Sequence, residues 1–293
     1  MATLRELKGR IGSVASSEKI TGAMKMISSA KMHKAEGALR RLQPYRSTIE
    51  AIISNLLSSD ASFTSPLAEV RHVSHVTLVA LGSDDGLCGA YNANLAKFVM
   101  QHVLNLREKY GNGLKVTVIP VGKKMAKAVG FLRDENTMVT GAPVNSKSEG
   151  EDVKKFELML RDEFLRKSTD RIELVYMHFR SVARQVATAD VLLPLSPEVF
   201  SSEGVAPSVR PYIFEPSAQK IFESVLPMYV LSLVQEVFVE NRASEQAARI
   251  MAMQSANDNA KKLLDQLRLE YNKLRQQSIT TELLDIVGGQ VRD

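Results

Sequence analysis

Residues 7–32 read LKGRIGSVASSEKITGAMKMISSAKM, and apolar side chains recur in this stretch every three or four residues. That spacing is typical of an amphipathic helix. Just before it, Thr3 and Glu6 have the spacing of a capping box, in which each side chain accepts a hydrogen bond from the other residue's backbone amide. The first proline of the chain is Pro44. We therefore predict one helix from these residues to about Leu57, far longer than the usual helix of a compact domain.

A second long helix is predicted at the other end of the chain. After Pro216, helix-forming residues run to Val287, interrupted by Pro227 alone, and Gly288-Gly289 follow as a stop signal. Both predicted helices are rich in alanine and serine, and the first also contains glycine; these small residues allow helix backbones to approach closely but bury little apolar area. We therefore predict that the two helices pair as an antiparallel coiled coil that needs surrounding protein for support.

Between the two helices the pattern changes to alternating strands and helices, which predicts a small parallel sheet. Near-continuous apolar runs predict buried strands, and the predicted strands are His75–Leu81, Leu114–Val121, Ile172–Phe179 and Val191–Leu195. Helical patterns cover Ala93–Lys109 and Asp152–Lys167. Ser148 and Glu151 have the spacing of a second capping box. Residues 201–216, with three prolines, are predicted to connect this region to the last helix.

The composition is that of an ordinary globular protein. Of the 293 residues, 44% are hydrophobic and 24% are charged. The chain has no uninterrupted run of about 18 apolar residues, and its start has no hydrophobic signal core, so we expect neither a membrane span nor a targeting segment. A single cysteine excludes an internal disulfide and favours a reducing compartment.

The net charge of +5 is concentrated at the start of the chain. Residues 1–60 hold ten Lys/Arg against five Asp/Glu. Such a segment could face nucleic acid, anionic lipid or an acidic protein surface. Its only aromatic residue is Tyr45, so the stacking platform of a single-strand binder is missing. An acidic protein partner is therefore at least as consistent with this segment as nucleic acid.

Residues 82–92, GSDDGLCGAYN, form a glycine-rich loop behind the first predicted strand. The glycine spacing matches neither phosphate-binding motif, and Asp84 and Asp85 stand where a phosphate would need donors. Three interpretations remain open, a nucleotide site, a tight structural turn and a protein-contact loop, and the residues favour the turn. His72 and His75 lack an apparent third metal ligand. Because no catalytic arrangement is recognisable, the residues argue against catalysis, a metal or a cofactor in this chain.

Three stretches resemble the gamma subunit of the F-type ATP synthase, the central rotor, in its bacterial form. They are residues 7–32, the loop SDDGLCGAYN at 83–92, and ASEQAARIMAMQSANDNA at 243–260 followed by YNKLRQQSITTELLDIVGG at 271–289. The resemblance spans the chain and implies an α/β fold class, with a long antiparallel coiled coil of N- and C-terminal helices and an inserted Rossmann-like α/β domain. The corresponding boundaries are 1–60, 70–210 and 215–293.

The resemblance also implies a function and a set of partners. Such rotors pass through a ring of three alpha and three beta subunits, which hold the nucleotides, and bind the epsilon subunit and the membrane c ring. Ion flow turns the c ring, and the shaft forces each beta subunit through its binding states. The implied protein is not an enzyme by itself, has no cofactor and contacts neither nucleic acid nor a small-molecule substrate. It lies peripherally on the cytoplasmic side of a bacterial inner membrane.

Four residues on the two helices align with family positions that contact beta. Arg275 and Gln276 align with an arginine–glutamine pair that engages a catch loop. Met24 and Lys25 align with the neck of the shaft, close to an acidic lever of beta.

The loop residues Ser83, Asp84 and Asp85 align with a family loop that approaches beta on another side of the shaft. Asp85 stands where the family commonly has arginine, so a cationic contact would be lost or reversed there. Two rival functions remain: an α/β nucleotide-binding enzyme with helical extensions, and a coiled-coil scaffold or nucleic-acid binder.

Overall fold

The structure is a computed structural model that describes residues 3–57, 64–196 and 214–290. It divides into two compact units, one formed by Met1–Ser29 with Arg249–Asp293 and the other by Ala30–Ala248. In chain order the helices and strands are α1 (Leu4–Leu57), β1 (His75–Leu81), α2 (Tyr91–Tyr110), β2 (Lys115–Val121), α3 (Lys123–Val129), β3 (Thr137–Val139), α4 (Glu151–Leu165), β4 (Arg171–Ser181), β5 (Arg184–Leu193) and α5 (Ala218–Gln290), with short 3-10 turns at Pro66–Ala68 and Gly130–Leu132.

The helix pair of the smaller unit is antiparallel, as predicted. The side-chain amide of Asn257 donates to the carbonyl oxygen of Glu18 at 2.7 Å, and Lys25 donates to the side chain of Gln254. Residue numbers thus rise along α1 as they fall along α5. The capping box that begins α1 is also confirmed, since the amide of Thr3 donates to Glu6 Oε2 at 2.9 Å and the amide of Glu6 to Thr3 Oγ1 at 3.2 Å.

The two long helices continue through prolines and glycines, residues that can interrupt or end a helix. Pro44 lies inside α1 and Pro227 inside α5, and neither ends its helix. The predicted stop at Gly288-Gly289 is wrong, because α5 extends to Gln290. Glycine permits helix termination but does not require it, since it adopts right-handed helical angles as readily as left-handed ones.

The sheet of the larger unit is mixed. Its strand order is β3-β2-β1-β4-β5, and the first four strands are parallel. The parallel prediction is wrong for β5, which begins at Arg184 and pairs antiparallel with β4 through a tight connection. Residues 184–191 of β5 are partly or fully exposed, and only Leu192 and Leu193 are buried as expected of a buried strand. The short elements α3 and β3 were not predicted.

Apolar side chains fill both faces of the sheet. Along β1, Val79 and Leu81 belong to a cluster with α1, α4 and α5, and Leu78 and Ala80 to a cluster with α2 and α3. The first cluster includes fully buried aromatic rings from helices, Phe156, Phe164 and Tyr229. This burial on both faces is why the strands read as continuous apolar runs.

Two further predictions concern the flanks of the sheet. Ser148 does not cap α4: Gly150 is the N-cap residue, at φ 54°, and the Ser148 hydroxyl instead accepts from the Asn145 amide at 3.1 Å. The capping box at 148–151 is therefore wrong, because a glycine turn comes between the serine and the helix. The predicted connector at 201–216 lies mostly outside the described residues.

By length and composition, one helix within the described residues could cross a membrane. It is α5, where an 18-residue window has a mean hydropathy of 1.4. Of that window, 44% is buried inside the protein, and a core helix of a soluble protein meets the same criterion.

Candidate functional site

The loop after β1 packs closely against the loop after β2. The amide of Gly82 donates to the carbonyl oxygen of Val121 at 3.0 Å. A Cβ atom on Gly82 would lie 2.4 Å from the Cβ of Met125, and one on Gly122, at φ +102°, would lie 2.7 Å from the carbonyl carbon of Ser83. Gly82 and Gly122 are therefore required for the close approach of these loops, which gives Gly82 of the glycine-rich sequence a structural role.

Ser83 is buried and bonded within its own loop. Its amide donates to Asn92 Oδ1 at 3.0 Å, and its hydroxyl donates to the carbonyl oxygen of Asp85 at 2.8 Å. The same hydroxyl accepts from Asn92 Nδ2 at 2.8 Å. The side chain thus holds the loop in shape.

Asp84 occupies the donors that a phosphate would use. Its Oδ1 accepts from the amide of Lys123 at the start of α3 at 3.0 Å, and its Oδ2 accepts from the amide and hydroxyl of Ser146, both at 2.8 Å. Burial acts to raise the pKa of this carboxyl, but the hydrogen bonds from Lys123 and Ser146 outweigh it and place the pKa below its usual value. An ionised carboxylate therefore occupies the place where a nucleotide phosphate would have to bind.

Asp85 and Leu87 form the outer surface of this loop. The carboxylate of Asp85 is exposed and lies 2.8 Å from Lys147 Nζ, and the hydrogen bond raises the pKa of Lys147. Leu87 is 60% exposed at φ 63°. An exposed leucine in left-handed backbone has no signature in the sequence, and reasoning from the sequence missed it.

The crevice between β1 and β4 is filled by α5. In doubly wound sheets ligands usually bind there, outside the carboxyl ends of the strands at which the strand order reverses. Here the Asn241 amide donates to the carbonyl oxygen of Gly82 at 2.9 Å, and its Oδ1 accepts from the hydroxyl of Tyr91 at 2.6 Å. Beside it, Glu240 accepts from the amide of Phe179 at 3.0 Å.

Met24 and Lys25 lie on α1 in the smaller unit, and both are partly buried. Lys25 donates to Gln254, whose side-chain amide donates in turn to Asp258 Oδ2 at 2.7 Å. The ammonium group is therefore held against α5 and is still accessible at the helix surface.

Arg275 and Gln276 lie on an exposed face of α5, also in the smaller unit. Among the described residues no ion pair or hydrogen bond is made by the Arg275 guanidinium. The backbone carbonyl of Gln276 accepts from the hydroxyl of Thr280 at 2.9 Å, and its exposed side-chain amide makes no hydrogen bond among the described residues. A free guanidinium beside a free amide is suited to carboxylate or carbonyl oxygens of another chain.

Within the described residues, no group of three or more His, Cys, Asp or Glu side chains could hold a metal ion. The His75 ring is bonded to the Ser168 carbonyl oxygen at 2.6 Å and to the Thr117 hydroxyl at 2.8 Å. Both ring nitrogens are thus used in hydrogen bonds that stabilise the fold.

Comparison with known proteins identifies the family. The family model described as ATP synthase matches residues 3–291. The ATP synthase gamma chain of Bacteroides fragilis is 40% identical over 295 residues, covering 99% of this chain and all of that protein, and the gamma chain of Phocaeicola vulgatus is 41% identical over 296 residues, with the same coverage.

Solved structures share the fold. A chain of the Euglena gracilis mitochondrial ATP synthase superposes with a TM-score of 0.65 at 22% identity, covering 98% of this chain and 93% of that one. A chain from the central stalk and c-ring of the Tetrahymena thermophila enzyme gives 0.57 at 21% identity, covering 81% and 99%.

Together the matches define a non-catalytic subunit of the central stalk of a rotary ATP synthase. The chain belongs to the ATP synthase gamma chain family. The family resemblance and the fold class inferred from the sequence are both confirmed.

Proposed function

We propose that this chain is the rotor shaft that couples ion-driven rotation of a membrane c ring to ATP synthesis in a head of alpha and beta subunits, or to ATP hydrolysis in reverse. The observation that carries the proposal is the thinness of the smaller unit. Among its described residues, few apolar side chains are buried: Leu7, Ile250, Met253, Leu264 and Leu267. Others are more than half exposed, namely Ile20, Met26, Ile27, Leu269, Leu283, Leu284 and Ile286.

The energy supplied by ion flow, compared with the stability of a domain, explains why such a helix pair needs other subunits around it. One elementary charge crossing 100 mV supplies about 2.3 kcal/mol, and several must cross for each ATP made. A whole domain is stable by only about 5–15 kcal/mol. A two-helix unit with so small a core would therefore yield under such loads unless a ring of neighbouring subunits surrounded it. The exposed apolar side chains are the surface that such a ring would cover.

For the contacts with beta we propose two groups of residues on the helices. Arg275 and Gln276 engage a loop of beta, which their exposure and unpaired polar groups support. Met24 and Lys25 contact an acidic lever of beta, and the basic charge of the first helix supports this.

In the loop, we propose that Ser83, Asp84 and Asp85 contribute to a further contact with beta in different ways. Ser83 and Asp84 maintain the shape of the loop, and Asp85 presents its carboxylate with Leu87 at the surface. We further propose the alpha subunits, the epsilon subunit and the c ring as partners, with no nucleic acid and no small-molecule substrate. The complex would lie on the cytoplasmic side of a bacterial inner membrane, with this chain attached peripherally.

The test begins with native mass spectrometry of the complex purified through this chain, with an ATPase assay on the same fraction. One copy bound to three alpha and three beta subunits is expected, with turnover that the lone chain lacks. A lone chain that hydrolyses ATP would contradict the rotor function.

In the same complex, Arg275→Ala should lower ATP-driven ion pumping by about tenfold or more, because a charge-assisted hydrogen bond contributes about 1.5–3 kcal/mol. Lys273→Ala is the matched control, since Lys273 is an exposed cation two residues away, and it should change pumping by less than about twofold. Equal effects of the two substitutions would rule out a specific catch at Arg275.

A further inference from the structure

A cavity of about 540 Å³ lies within the larger unit, between α1, the start of α4 and α5. Its apolar lining includes Leu42 from α1, Val153 from α4 and Phe238 from α5. The volume is in the range of small-molecule sites, which are mostly apolar with a few convergent polar groups. Of the residues proposed above to contact beta, Asp85 lies on the wall of the cavity, and the four on the helices lie outside it.

Three cations of α1 line the cavity without a partner. Lys31, Lys34 and Arg41 are exposed and lie three and seven residues apart, so they share one side of the helix. None of them makes an ion pair or a hydrogen bond among the described residues. Ala35 and Ala38 lie between them on the same side, and their small side chains leave the space open.

The opposite wall is also charged, but its cations are already paired. Lys147 lies 2.8 Å from Asp85, and Arg242 is paired with Glu149. Glu245 adds a third acidic group. Five cationic and three acidic side chains therefore line the cavity, which leaves an excess of positive charge concentrated on α1. The N-terminus of α4 at Gly150 adds a partial positive charge to the same space.

We propose that this cavity binds a free, single-chain amphipathic anion, a carboxylate or phosphate monoester attached to an apolar body. The anionic head lies against Lys31 and Lys34, and the apolar body lies on Leu42, Val153 and Phe238. From Lys31 to Leu42 the cavity follows α1 for about 16 Å, at 1.5 Å per residue. The space is therefore long enough to separate a charged head from an apolar body.

The experiment measures binding of decyl phosphate to the full-length chain by isothermal titration calorimetry, below the concentration at which the probe forms micelles. One molecule per chain is expected. Decanol, which has the same apolar body and no charge, should bind at least about tenfold more weakly. Equal affinity for decanol, or binding of many molecules per chain, would overturn the proposal.

The variants locate the site. The double substitution Lys31→Gln with Lys34→Gln should weaken decyl phosphate binding by about tenfold or more. The matched control is Lys97→Gln with Lys127→Gln, which removes the same charge from exposed positions outside the cavity and should change the affinity by less than about twofold. Equal weakening by both pairs would show a non-specific charge effect and contradict the site.

Two further measurements separate the alternatives. Ala38→Phe fills the cavity without changing its charge and should abolish binding, while circular dichroism reports whether the helices are retained. Retained binding in a folded Ala38→Phe chain would overturn the proposal. Flotation with phosphatidylglycerol vesicles tests the source of the anion: equal flotation of the unsubstituted chain and the Lys31/Lys34 double variant supports a free amphiphile, and loss of flotation in that variant would assign a membrane lipid instead.

Discussion

Asn241 donates from its side-chain amide to the carbonyl oxygen of Gly82 at 2.9 Å, and this bond joins α5 to the end of β1. The same side chain accepts from the hydroxyl of Tyr91, at the start of α2. Asn241 is 1% exposed. The crevice that many α/β proteins use for a ligand is here an internal joint between a long helix and the sheet.

The first prediction follows from this joint. Asn241→Leu removes the donor to the buried carbonyl oxygen of Gly82 and one of two acceptors for Tyr91, whose hydroxyl also donates to the backbone oxygen of Asn241 at 3.2 Å. The free energy of unfolding should fall by about 1–3 kcal/mol, because a buried group left without its hydrogen-bond partner costs about that much. Urea denaturation followed by circular dichroism measures the change. Asn272→Leu, the same substitution at an exposed position of α5, should change the value by less than about 0.5 kcal/mol.

The second prediction concerns Gly82 and Gly86, two of the three glycines of the loop 82–92. Gly82→Ala should destabilise the protein by about 1–3 kcal/mol, because the new methyl group overlaps the Cβ of Met125 in a packed core. In Gly86→Ala, the methyl group would lie 3.7 Å from Lys124 Cε, an ordinary contact. That control should be close to neutral by the same urea measurement, and equal losses would contradict the close-packing account.

The third prediction addresses the helix pair of the smaller unit. Asn257 is buried and donates to the Glu18 carbonyl oxygen at 2.7 Å and to the Thr21 hydroxyl at 3.2 Å. Asn257→Leu should lower the free energy of unfolding by about 1–2 kcal/mol, since both bonds across the pair are lost. Asn259→Leu, two residues further along and exposed, should have almost no effect. If Asn257→Leu instead raises the free energy of unfolding, the asparagine would act only to fix the register of the two helices.

The fourth prediction is a pH dependence of stability at Glu157 on α4. Burial raises the pKa of this carboxyl to about 7, against 4.5 in the unfolded chain, although the charge of Arg161 opposes the shift. Because the folded pKa is raised, the contribution of Glu157 to stability is full below pH 4.5 and is lost as the pH rises through 7.

Glu157→Gln should therefore increase stability more at pH 8 than at pH 5, as measured by urea denaturation at both values. Glu135→Gln, at an exposed carboxyl, should give the same small change at the two pH values. A gain from Glu157→Gln that does not depend on pH would show that the carboxyl stays ionised in the folded protein.

The elements that could be predicted from the sequence are those with strong periodicity. The hydrophobic pattern that predicts each of them, α1, α5, β1 and β2, is visible within a few consecutive residues. The three residues of β3 and the seven of α3 are too short to show a period, and they form because they pack beside β2. The direction of β5 depends on a two-residue connection after Ser181, which apolar patterning does not encode.

The candidate sites divide in a similar way. Sequence resemblance named Arg275, Gln276, Met24, Lys25 and the loop residues, and their contacts with other subunits stay predictions. The roles of Asn241 and Tyr91 could not be found, because a bond between residues 150 positions apart leaves no local pattern. The internal partners of Asp84 were likewise invisible, since Ser146 lies 62 residues away.

The burial of Cys88 has a practical consequence. It is the only cysteine in the chain, its side chain is 3% exposed, and its sulfur lies 3.5 Å from the amide nitrogen of Asn92. A cysteine introduced at an exposed position would therefore be the one thiol that a maleimide dye can reach in the folded protein. Fluorescent or bead labels for watching rotation can be attached to this chain without first removing its native cysteine.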